Sequence, residues 1–90
     1  MRGQFEQYLI QMGYKQYTPS GNPSTVYDYC HRIDTVCKWE NTTWTGLALQ
    51  IGKILSEYEV GGSKESLGSK SHNAVRNALR SFYAFTQINQ

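Results

Sequence analysis

The stretch KSHNAVRNALRSFYAF, Lys70 to Phe85, constrains the fold more than any other part of the chain. Val75, Ala78, Leu79, Phe82 and Phe85 recur at i, i+3, i+4, i+7 and i+10, which is one stripe of an α-helix. Sixteen residues of helix span about 24 Å. Ser71 is the expected N-cap, because its hydroxyl can accept from the free N–H groups of the first turn. The opposite face carries His72, Asn73, Arg76, Asn77 and Arg80, and its only charges are positive. One side is built to pack; the other suits a polyanion. The alternative is a solvated face that happens to be basic, since charged outer faces are normal on surface helices.

Ninety residues make one domain, 1–90, with no room for a second core. A hydrophobic content of 39% suffices for a small helical core. The formal net charge is only +2, so charge placement says more than its sum. From Lys64 onward, Lys64, Lys70, Arg76 and Arg80 face one acid, Glu65, while Glu57 and Glu59 lie just before. That asymmetry makes a mild basic patch available for nucleic acid. No apolar run approaches the roughly 20 residues of a membrane helix, and no signal-peptide pattern is present. The expectation is a cytoplasmic protein with no membrane partner.

Cys30 and Cys37 lie seven residues apart on one expected helix, which separates their Cα atoms by about 10 Å. A disulfide needs less than about 7 Å, so the two cannot pair within that helix. Both sit on an apolar stripe, as buried free thiols in a reducing compartment would. No paired His/Cys spacing of the zinc kind occurs, so no metal site is expected.

Four helical patterns and no strand pattern run along the chain, near 2–14, 23–39, 44–59 and 71–86. In the first, Phe5, Tyr8, Leu9 and Met12 form the stripe and Gly13 is the natural stop. The turn formers of TPSGNP follow. The second opens either with Asn22 as cap and Pro23 at the first helical position, or with Ser24 as cap. Its stripe is Val26, Tyr29, Cys30, Ile33, Val36 and Cys37, and Lys38 complements the dipole at its end. The third follows Asn41-Thr42-Thr43, with Trp44 as anchor and Leu47, Ile51, Ile54, Leu55 and Tyr58 as its stripe. The connection GGSKESLGSK is rich in glycine and serine and is expected to be mobile. Phosphate-binding glycine loops, nucleophile elbows and paired carboxylates are all missing, so neither catalysis nor a cofactor is expected. The seven tyrosines read as packing residues with a polar tip.

The order of these patterns resembles the core-binding domain of tyrosine recombinases, the phage-integrase family. Phe5-Glu6-Gln7-Tyr8-Leu9 matches the F-x-x-Y-L of that domain's first helix. Ser24-Thr25 with Tyr29, Ile33 and Val36 matches the second, and Ala78-Leu79-Arg80-Ser81-Phe82-Tyr83-Ala84-Phe85 matches the A-L-R-x-F-Y-x-F run of the last. The resemblance spans Phe5 to Phe85. The loops Lys15–Pro23 and GGSKESLGSK depart from the family pattern.

The resemblance implies an all-α fold, a small SAM-like bundle of four main helices. It implies a DNA-binding module acting in DNA integration and recombination, of the kind mobile elements carry. Such a module clamps double-stranded DNA while a separate catalytic domain of the same parent chain, following residue 90, cuts it. Other recombinase protomers are implied as partners. The second and fourth helices of the family domain meet DNA. Carried over by position, the contacts are Thr25, Tyr27 and Arg32 on the second and Lys70, Ser71, His72, Asn73, Arg76, Asn77 and Arg80 on the fourth. Lys and Arg suit phosphates, and Asn73 and Asn77 could reach adenine edges from a major groove. Arg80 has a second reading, as a tie to a carboxylate inside the protein. The alternative function is a helical protein–protein interaction domain of SAM-like type, because fold does not fix function.

Overall fold

α6 (Lys70–Ile88) is the axis of the domain, and α2 (Thr25–Trp39), α4 (Ile51–Tyr58) and α1 (Arg2–Gln11) pack on it. This is the arrangement in a computed structural model that describes residues 1–88. Two short helices, α3 (Trp44–Leu49) and α5 (Glu65–Gly68), complete an all-α architecture. Among the described residues the only β feature is an isolated bridge between Tyr17 and Pro23. No described helix is long and apolar enough to cross a membrane.

The stripes converge on one core, except that Met12, expected on the first stripe, lies past the end of α1 and is exposed. Phe5, Leu9, Val26, Cys30, Ile33, Val36, Leu47, Tyr58, Ala78, Leu79 and Phe82 have no exposed surface. Phe82 is central: its ring lies 5.2 Å from Phe5 and 5.5 Å from Trp44, both edge to face. The two cysteines are buried and free, and burial pushes both thiols up to about 11.

Helix ends follow local chemistry. At the end of α1, Gly13 takes a φ of +95, its N–H donates to Ile10 O, and the Tyr14 N–H donates to Leu9 O. This doubly bonded reversal needs glycine at its left-handed position. α2 begins at Thr25 with Ser24 in the cap position, which decides between the two openings, although the Ser24 hydroxyl makes no capping bond. Thr43 caps α3 by accepting from the Gly46 N–H at 3.1 Å.

Three expectations need correction. The third helix is not continuous, because Gln50 (φ −121, ψ 18) breaks it into α3 and α4. The GGSKESLGSK connection is packed rather than loose: α5 forms within it, Gly68 is buried, and the Lys64 N–H donates to Glu57 O at 2.7 Å. The start of α6 is not capped by Ser71. Ser71, His72 and Asn73 all have left-handed backbone (φ 55, 56 and 68), and right-handed geometry resumes after them.

Candidate nucleic-acid interface

Lys70 opens α6, and its ammonium lies 5.9 Å from the centroid of the Trp39 ring, at the far end of α2. No carboxylate lies within ion-pair distance of it among the described residues. Ser71 and His72 are exposed on the left-handed turn that follows, as is Asn77 one turn later. Asn73 is partly engaged, because its Oδ1 accepts from Arg76 Nη1 at 2.9 Å. Left-handed backbone costs roughly 1–2 kcal/mol per residue other than glycine, Asn excepted in part. A turn of this kind is strained, and strained backbone collects at functional sites.

Arg76 does not face solvent, which corrects its assignment as a phosphate contact. It is 4% exposed. Its Nε donates to Tyr58 O at 3.0 Å, and Nη2 donates to Glu65 O at 3.1 Å and Ser69 Oγ at 3.0 Å. Tyr58 is the last residue of α4, so its carbonyl is one that the helix itself leaves unbonded. The planar fork therefore ties the end of α4, the start of α5 and the base of α6. Gly68 makes room for it, since a Cβ there would collide with the same Tyr58 carbonyl oxygen.

Two further arginines already hold carboxylates. Arg80 grips Glu59 in a two-point pair, Nη2 to Oε1 at 2.6 Å and Nε to Oε2 at 2.8 Å. Those hydrogen bonds hold the Glu59 carboxyl below the usual carboxylate range. The tie-in reading of Arg80 is the one its geometry fits. Arg32 pairs with Asp28 one turn back at 3.3 Å, and its Nε is buried without a hydrogen-bond partner. Thr25 is half-buried in the first turn of α2. Tyr27, also half-buried, packs its ring 5.7 Å from Tyr17.

These residues do not form one patch. Lys70 meets the last residue of α2, whereas Thr25 is its first. Fourteen helical steps, about 21 Å, separate the two groups. Contact with both would require a ligand that runs along α2, as duplex DNA could.

Trp39 is a surface feature that the sequence reading passed over. The apolar stripe of α2 continues through Val36 and Cys37, so position 39 falls off it, and an indole off the stripe is a legible signal. Elsewhere polar contacts serve the fold. Asp34 accepts from Trp44 Nε1 at 2.7 Å and from Arg2, joining α1, α2 and α3. Glu40 accepts from the Tyr58 hydroxyl at 2.9 Å and from Lys64 at 2.7 Å. No protein-family model, curated protein or solved structure matches this chain.

Proposed function

We propose that the chain is the DNA-binding module of a site-specific recombinase. It holds duplex along α2 and the start of α6, and leaves strand cleavage to a separate catalytic domain of the parent protein. The observation that supports this reading best is the start of α6. Lys70 is an ammonium without a carboxylate partner among the described residues, followed by exposed donors at Ser71, His72 and Asn77, on the helix that also bears the ALRSFYAF run. Cations and small donors of this kind grip phosphate oxygens.

A second reading has its own support at the other end of α6. A groove of about 690 Å³ is lined by Met1, Ala48, Leu49, Tyr83 and neighbouring residues. Leu49 is 83% exposed beside it. Such a surface suits a protein partner more than a polyanion.

NMR amide shifts on adding a short duplex at low salt separate the two. DNA binding should move residues 25–32 and 70–77 and fade with added salt. Lys70→Glu should suppress the shifts without unfolding the domain, because its side chain is exposed. Shifts confined to the groove, or none at low salt and high DNA, would overturn the DNA reading.

A further inference from the structure

Trp39 ends α2 with 40% of its surface exposed. Its ring lies nearly parallel to that of Tyr58, at 14° with centroids 6.4 Å apart. Tyr58 is fully buried and its hydroxyl is fixed on Glu40, so it forms a rigid floor that keeps the indole at the surface. Over the indole stands the Lys70 ammonium, at 5.9 Å. The neighbouring cation, Lys64, is tied to Glu40 and Glu57 and is not available. The result is a flat, supported aromatic surface beside a cation that has no carboxylate partner among the described residues.

We propose that Trp39 and Lys70 form a stacking site for an unpaired base of single-stranded DNA, with Lys70 turning from the ring to the adjoining phosphate. Aromatic side chains that stack bases, next to cations that follow the backbone, are the general means of holding single strands. An exposed cation–π contact is weaker than base–aromatic stacking, so a base can displace the ammonium and still find it within reach of its phosphate. A helical peptide would need a continuous apolar groove. Around Trp39 the ring neighbour among the described residues is Tyr58, and the charged Lys38 and Glu40 flank it in the chain. The inference rests on the DNA-binding reading for the class of polymer and adds to it a site for an unpaired base.

The test titrates the full chain with oligothymidylate and with a duplex of equal length, following tryptophan emission and the anisotropy of end-labelled DNA. Single strand should raise anisotropy and quench emission; duplex should raise anisotropy with little quenching. Trp39→Ala should weaken single-strand binding about 5- to 150-fold, equivalent to about 1–3 kcal/mol per stacked base. Duplex binding should stay unchanged. Trp39→Phe keeps a stacking ring, so it should retain most of the single-strand affinity and lose the quenching. It also decides the matter if the alanine variant fails to fold. Single strand bound without quenching, or bound equally well by a folded Trp39→Ala variant, overturns the inference. Duplex bound and single strand ignored overturns it too and leaves the DNA-binding reading standing. Neither bound overturns both.

Discussion

Arg76 shows how much one residue's environment can invert its meaning. One position from Val75 on the helix, it looks like part of a basic outer face, yet the fork turns inward onto the Tyr58 carbonyl that α4 leaves unbonded and adds a second tie at the Glu65 carbonyl of α5. Arg76→Ala would leave the Tyr58 carbonyl without a donor and should cost about 1–3 kcal/mol, the range for a buried acceptor left unsatisfied. Arg76→Lys should recover only part of this, because one ammonium cannot reproduce a planar fork. Urea melts give both values; an alanine variant as stable as the parent would refute the role. Phe82 is fully buried between Phe5 and Trp44, and Phe82→Ala should cost about 3–5 kcal/mol. For a domain whose total stability lies near the low end of about 5–15 kcal/mol, the Phe82 change approaches unfolding.

At the scale of elements, periodicity located the helices and misjudged their continuity. The stripe of Leu47, Ile51, Ile54 and Tyr58 is real, and all four are buried, but the helix breaks at Gln50 without losing phase. α5 was not legible, because four residues carry no period; tertiary ties to Glu57 and Arg76 hold it. The start of α6 yields a prediction. His72 holds a φ of 56 with its side chain exposed, so His72→Gly should relieve left-handed strain worth about 1 kcal/mol. The melting temperature should then rise by about 4–8 °C for a domain of this size. An unchanged or lower melting temperature would mean that the turn is not strained in solution.

Over the whole molecule, charge is spent mainly on tying helices together. Arg2, Arg32, Lys64, Arg76 and Arg80 each have a carboxylate within 4.0 Å. Burial pushes the Asp34 carboxyl up, but the Trp44 N–H and Arg2 outweigh it; at Glu40, Lys64 and the Tyr58 hydroxyl do the same. With Glu59, these three acids bind protons less readily folded than unfolded. Their contribution is therefore complete above the unfolded value of about 4 and lost as pH falls through the lower folded values. The buried thiols act in the opposite sense. Raised to about 11, they favour the folded state below the unfolded value of about 8.5 and lose that contribution as pH rises towards 11. Thermal melts should show a plateau between about pH 5 and 8 with a fall on either side, and Asp34→Asn should flatten the acid limb. On the proposed DNA-binding reading, affinity for DNA follows the same inventory. With Arg76 inside, Lys70, Arg32 and Arg80 remain, and the last two must leave their carboxylates first. The slope of log affinity against log salt should be no steeper than about −3, at about −0.9 per phosphate. A slope beyond −4 would require cations elsewhere.

The sequence by itself determined that the protein is helical, roughly where its main helices lie, most of the residues that form the core and that its two cysteines do not pair within their helix. These follow from the period of the apolar residues and from helical rise, which are local quantities. Tertiary structure decided the fate of the charges. Whether Arg76 faces a phosphate or a carbonyl, whether Arg80 is open or held by Glu59, and whether the two groups of candidate residues adjoin depend on which helix ends meet. Helix ends carry unbonded carbonyls, and a guanidinium buried at one of them gains hydrogen bonds that no pattern along the chain encodes.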